Sequence, residues 1–76
     1  MNLKIRQHPR DKHGLLERDK VIVQMLSDGY TAQEIADAGS ISRRTVEFII
    51  ASLFSHFECN NTTHLVAYCL RKKIIK

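Results

Sequence analysis

Between residues 42 and 57 the apolar positions Val46, Ile49, Ile50, Leu53 and Phe57 recur at spacings of 3, 1, 3 and 4. That is the period of an α-helix, so the segment predicts one helix with a single apolar stripe. Ser42 stands where an N-cap is needed, with Arg43 and Arg44 directly behind it. Arg44, Glu47, Phe48, Ala51, Ser52 and Ser55 fall on the side away from the stripe. A phenyl ring and a carboxylate on that outer side are not required by any core.

The same reading predicts three further helices. The first runs from about Leu16 to Ser27, with Ile22, Val23 and Leu26 at helical spacing and Met25 nearby, and "SDGY" ends it, Gly29 being free to turn left-handed. The second opens at Thr31. Thr31 and Glu34 have the spacing of a capping box, in which each side chain satisfies the other's backbone donor. Ile35 and Ala36 face inward, and "AGS" stops the helix after about two turns, with Gly39 marking the turn. The fourth begins after Asn60 or Asn61, either of which can cap it. Leu65, Val66, Cys69 and Leu70 form its apolar face, and "RKK" puts cations in its last turn, where the helix dipole favours them. Residues 1–14, punctuated by Pro9 and Gly14 and sparse in apolar residues such as Leu3 and Ile5, read as a basic flexible arm or linker. The expected fold is all-α: a compact four-helix bundle over residues 15–76. Its short helix, glycine turn and longer helix make a helix-turn-helix.

At 76 residues the chain is one small domain. A domain this size buries only about 60–65% of the surface it exposes when unfolded, so modest stability is expected. No run of 18 apolar residues is present and the first residues lack a signal-peptide core, so a cytoplasmic location and no membrane partner are expected. Two cysteines do not make a disulfide framework. The net charge of +4 is unevenly spread. Lys4, Arg6, Arg10 and Lys12 against Asp11 make residues 1–14 basic; residues 15–58 are net acidic; Arg71, Lys72, Lys73 and Lys76 make the end basic again. Basic ends attract polyanions, nucleic acid first; the plainer reading is that they are solvated lysines and arginines.

Arg43 and Arg44 in the first turn of a helix can reach phosphates or a guanine edge. Thr31 and Ser42 serve as caps, and helix starts such as theirs can also hold a phosphate on free N–H groups. Glu47 has three readings: it accepts from a cytosine amine, it pairs with Arg43 or Arg44 along the helix, or it belongs to a protein-binding face. Phe48 packs on a thymine methyl, or is buried by the N-terminal arm or by a second chain. Ala51, Ser52 and Ser55 continue the same outer surface. Cys59, His64 and Cys69 are spaced by five, which does not stack on one helical face, and no C-x-x-C pair exists, so no metal site and no cofactor are expected. His56 with Cys59 lacks an orienting third group, and no catalytic residue is expected.

Two runs carry a resemblance. Gly29, Thr31, Glu34, Ile35 and Ala36 follow a G-x-[ST]-x-x-E-I-A pattern, and Ile41, Ser42, Thr45 and Val46 follow I-S-x-x-T-V at the right distance. Together they resemble the LuxR/FixJ-type (GerE-like) helix-turn-helix domain of bacterial transcription regulators, over roughly residues 15–75. The resemblance implies sequence-specific binding of double-stranded DNA, with the third helix in the major groove. It also implies a weak homodimer through the fourth helix, which would use Leu65, Val66, Cys69 and Tyr68; alternatively Leu65 and Cys69 complete the monomer core. Such modules often follow a receiver or ligand-sensing domain, so a sensor or receiver domain and RNA polymerase are further expected partners. The chain departs from the family's usual residues in several places. Leu16 and Asp19 stand where Thr and Glu would cap the first helix, which predicts loss of that cap. Gly39 replaces a leucine, Glu47 a Lys or Arg, Ile49 a His, and His56-Phe57 a Lys-Leu pair. The competing class is a degenerate helix-turn-helix whose Glu47/Phe48 face binds protein.

Overall fold

The computed structural model describes residues 12–76. Among them are four helices and no strand: α1 (Glu17–Ser27), α2 (Ala32–Gly39), α3 (Arg43–Phe57) and α4 (Thr62–Arg71). The structure is all-α, as the periodicity predicts. The basic character read for residues 1–11 lies outside the described residues. α3 packs against α1, α2 and α4, and α1 also packs against α4 and α2.

The helix starts follow the side chains that cap them. Thr31 and Glu34 form the full reciprocal box: Glu34 N–H donates to Thr31 Oγ1 (3.1 Å) and Thr31 N–H to Glu34 Oε1 (2.8 Å). At α4 it is Asn61 that caps, accepting from His64 N–H at 2.9 Å. The cap of α1 is not lost. Leu16 has no hydroxyl to offer, but Leu16 N–H donates to Asp19 Oδ2 at 3.0 Å. Asp19 thus keeps half of the box, and it is 4% exposed, the one buried charged side chain among the described residues. Arg18 Nε lies 3.4 Å from its other oxygen.

All four helices end alike. Gly29, Ser40, Glu58 and Lys73 each take a left-handed conformation just past a helix. The next N–H then returns to a carbonyl five residues back: Tyr30 to Met25 (3.0 Å), Ile41 to Ala36 (3.1 Å), Cys59 to Phe54 (2.8 Å) and Ile74 to Cys69 (2.9 Å). This closure satisfies carbonyls that a helix end leaves open. The second turn falls at "AGS", as expected. Gly39 is the last residue of α2, and Ser40 makes the left-handed step, with φ 56°.

The core gathers Val23, Val46, Leu65, Cys69 and Leu15, all fully buried, with Ile22, Ile35, Ala36, Ile49, Leu53, Cys59 and Ile75. Ile50 and Phe57, expected in the stripe, are half-buried at its margin. Leu70, expected on the apolar face of α4, is 45% exposed. Residue 70 is a third of a turn around from Cys69, and the tail folds back to fill the core instead. Ile75 is buried, and Lys76 N–H donates to Gln24 Oε1 at 2.9 Å. No helix of the described residues is long and apolar enough to cross a membrane.

Candidate nucleic-acid interface

α2 and α3 meet through the tight turn at Ser40 and Ile41, and this turn sets which side of α3 is left outward. Ser42 caps α3: Thr45 N–H donates to Ser42 Oγ (3.0 Å), and the two hydroxyls lie 2.9 Å apart. With Val46, Ile49 and Leu53 turned into the core, the helical period leaves Arg44, Phe48, Ala51 and Ser55 as the outermost row. Phe48 is 72% exposed. Every residue read as a DNA contact (Thr31, Ser42, Arg43, Arg44, Glu47, Phe48, Ala51, Ser52 and Ser55) is exposed.

Several side chains of that set are already engaged: Thr31 and Ser42 as caps, and Arg43, Glu47 and Ser52 along α3. Arg43 Nε donates to Glu47 Oε2 at 3.0 Å, one helical turn on. This is the second of the three readings of Glu47. An exposed pair of this kind contributes about 0–1 kcal/mol, little enough for a ligand to compete with it. The terminal N–H groups of Arg43 remain able to donate elsewhere. Ser52 Oγ donates back to Ile49 C=O at 2.7 Å, so it presents an acceptor outward rather than a free hydroxyl.

Beside this face lies a shallow cleft of about 320 Å³, lined by Gly14, Leu15, Arg18, Asp19, Ser52, Leu53 and His56. Across its rim His56 Nε2 bonds to the backbone oxygen of His13 at 2.9 Å. The contact spans 43 residues of sequence. Nothing local in the chain announces it, and it was missed in the sequence pattern. The departure at His56-Phe57 was its only trace.

The expected dimer residues divide. Leu65 and Cys69 are 0% exposed within the single chain and belong to its core, so neither can meet a partner. They lie on the side of α4 that faces α1 and α3. Tyr68 is half-buried with its ring 4.9 Å from that of Phe57. Val66 is half-buried, and beside it α4 leaves Ala67 and the exposed Leu70 outward. Both cysteines are free and buried. Burial raises the Cys59 thiol, with Arg71 pulling the other way, and burial together with nearby Cys59 pushes Cys69 up to about 11. Such thiols stay protonated and poorly nucleophilic. His64 Nδ1 accepts from Asn60 N–H at 3.1 Å. Among the described residues no group of three His, Cys, Asp or Glu side chains could hold a metal ion.

A short capped helix, a tight turn and a longer helix define a helix-turn-helix domain. Residues 13–69 match the model of the bacterial regulatory proteins of the luxR family, and the chain belongs to that family. It is similar to the response regulator protein VraR of Staphylococcus aureus (strain Mu3), of Staphylococcus saprophyticus and of Staphylococcus epidermidis. Each is 32% identical over 62 residues, covering 82% of this chain and 30% of the relative. The chain therefore spans about 30% of the length of these curated relatives. Its role is DNA binding in transcription regulation.

Proposed function

We propose that this domain binds double-stranded DNA sequence-specifically, with α3 in the major groove and a homodimer forming on the DNA. The outward row Arg44, Phe48, Ala51 and Ser55 carries this reading, because it pairs a cation with a bare ring on the one helix of the motif that can enter a groove. Arg44 contacts a phosphate or a guanine edge. Phe48 packs on a thymine methyl. Glu47, released from Arg43, accepts from a cytosine amine. The capped starts at Thr31 and Ser42 sit against phosphates. The homodimer uses Val66 and Tyr68 with Leu70, in place of the buried Leu65 and Cys69. A receiver or sensor domain and RNA polymerase are further partners; the small share of its relatives that the chain spans supports the first.

Titration with duplex DNA tests the reading. If each protomer neutralises about 3–4 phosphates, log K falls against log[salt] with a slope near −3. Glu47→Gln raises affinity for random duplex while narrowing its gap from a selected site, since a bonded cytosine amine is worth about 1–3 kcal/mol. A flat salt response removes the DNA reading. Val66→Glu weakens binding to a duplex with two half-sites more than to one with a single half-site; equal loss on both assigns Val66 to the monomer core and not to the dimer seam.

A second reading is favoured by the 72% exposure of Phe48 next to a carboxylate: the outer face of α3 binds protein. In that case Glu47→Gln and Phe48→Ala leave duplex binding unchanged, and Phe48→Ala abolishes capture of the protein partner.

A further inference from the structure

We propose that Arg71, Lys72 and Lys73, at the end of α4, form a second DNA contact: a surface for the phosphodiester backbone beside the groove that α3 enters. The proposal rests on the DNA reading above and extends it to a helix outside the helix-turn-helix.

The charge there is concentrated and uncompensated. Residues 59–76 contain no Asp or Glu, while residues 15–58 are net acidic. Arg71, Lys72 and Lys73 are all exposed, and none forms an ion pair among the described residues, whereas Arg43 of α3 is paired with Glu47. The helix dipole favours a cation in a last turn, and this accounts for Arg71. It does not account for Lys73, which lies past the helix with φ 59°, a left-handed conformation that strains an L side chain and suits glycine. A lysine is thus held where folding alone would prefer no side chain.

The turn that carries these cations is tied down on both sides. Lys73 N–H donates to Leu70 C=O at 3.0 Å and Ile74 N–H to Cys69 C=O at 2.9 Å. Directly after them Ile75 is buried, and Lys76 N–H donates to Gln24 Oε1 of α1 at 2.9 Å. The backbone is therefore already ordered, and a ligand that binds it has only side chains left to fix.

A row of rings places the turn next to α3. Lys72 Nζ lies 5.8 Å from the centroid of the Tyr68 ring, whose face attracts the ammonium without neutralising it. Tyr68 meets Phe57 at 4.9 Å, and Phe57 meets His56 edge-on at 4.7 Å. Phe57 is the last residue of α3, and His56 directly follows Ser55 of the outward row. The basic turn thus flanks the C-terminal end of α3. That helix has 15 residues, a length of about 22 Å, and the major groove is about 12 Å wide. With Arg44 and Phe48 in the groove, the far end of α3 comes out at the groove wall, which is a row of phosphates. An acidic protein segment would suit the same charges, but the border with the helix that enters DNA favours the phosphodiester backbone.

Salt titrations with the full chain test this on random duplex and on a selected site. Arg71→Gln, Lys72→Gln and Lys73→Gln together flatten the slope of log K against log[salt] by about 2. Affinity for the two duplexes falls by the same factor, because phosphate contacts carry no base information. Lys73→Gly removes one charge and the left-handed strain together: the slope flattens by about 1 while the melting temperature rises, so weaker binding is not a loss of fold. Lys20→Gln makes the same change of charge on α1 and leaves the slope as in the parent. Unchanged slopes in the triple variant and in Lys73→Gly overturn the contact, leave DNA binding by α3 standing and assign the cations to a partner other than DNA. Equal flattening by Lys20→Gln and Lys73→Gly also overturns it, since net charge alone then sets the slope. A flat salt response of the unaltered chain defeats both readings together.

Discussion

α3 carries large apolar residues on both of its sides, and they have opposite fates. Val46, Ile49 and Leu53 are sealed against α1, α2 and α4, while Phe48, two residues from Val46, stands 72% in solvent. Burying a side chain of this size removes apolar surface at roughly 25 cal/mol per Å², and only the inner three collect that gain in the folded chain. The outer ring contributes nothing to folding, so its free energy is available for a ligand. An apolar residue therefore reports a core only through its register, and an exposed one on a binding helix is a candidate contact.

The largest expected effect falls on the inner side. Leu53→Ala should lower unfolding free energy by about 2–5 kcal/mol, read from urea denaturation, because it removes a buried side chain from the core and leaves a cavity there. A loss below 1 kcal/mol would mean the inner stripe is loosely packed and the contrast between the two faces is weak.

The buried side also predicts a response to alkali. Cys69 is held as a thiol up to about 11, above its ordinary value of 9.0, by burial first and by Cys59 second. The unfolded chain releases that proton sooner and so binds fewer protons across this window. Stability is therefore intact below about pH 9 and falls as pH rises toward 11. Other groups titrate there too, so the measurement is the difference between the parent and Cys69→Ala in how the urea midpoint moves from pH 8 to 11. The parent should fall more steeply, and parallel curves would show that the thiol is not in a dry core.

A smaller effect belongs to the turns that set the register of α3. Gly29 and Ser40 occupy equivalent left-handed positions, and nothing lies within 4 Å of a Cβ added at Gly29. Backbone strain alone then decides the outcome. Ser40→Gly should stabilise by about 0.5–1 kcal/mol and Gly29→Ala should destabilise by a similar amount, both seen as shifts in melting temperature. Changes of the same sign in the two variants would contradict the shared geometry.

Smallest of all is the expected effect of Phe48→Ala on folding, within about 0.5 kcal/mol. The same variant should weaken binding to a selected duplex while leaving the salt slope as it was, since a phenyl ring displaces no counterions. A stability loss comparable with that of Leu53→Ala would erase the difference between the faces.

Much of this architecture was legible from local pattern. The caps at Thr31, Ser42 and Asn61 and the stripe of α3 depend on neighbours three or four residues apart, and those interactions form wherever the segment folds as a helix. The outward set around Arg44 and Phe48 followed from the same period once the stripe was known. Local pattern misled where two residue types could do one task. Gly39 marked the turn, but the left-handed step that makes it falls one residue later, on Ser40. Asp19, shorter than the usual Glu, still reaches the Leu16 N–H.

What only the tertiary structure decided involves residues far apart in sequence. Helical period makes one side of α4 apolar, but it cannot say how wide a strip its neighbours will cover. α1 and α3 take Leu65 and Cys69 completely, the tail returns Ile75 to the core, and Leu70 is left outside. The contact of His56 with the His13 carbonyl arises because folding brings the start of the domain to the far end of α3. The sequence by itself determined which segments are helices, how α2 and α3 begin and which side of α3 turns outward, since these are set within a turn or two of chain. Which apolar residues are shared among helices, and which residues far apart in sequence meet as His56 meets the His13 carbonyl, required the packed fold, because those free energies exist only between elements already brought together.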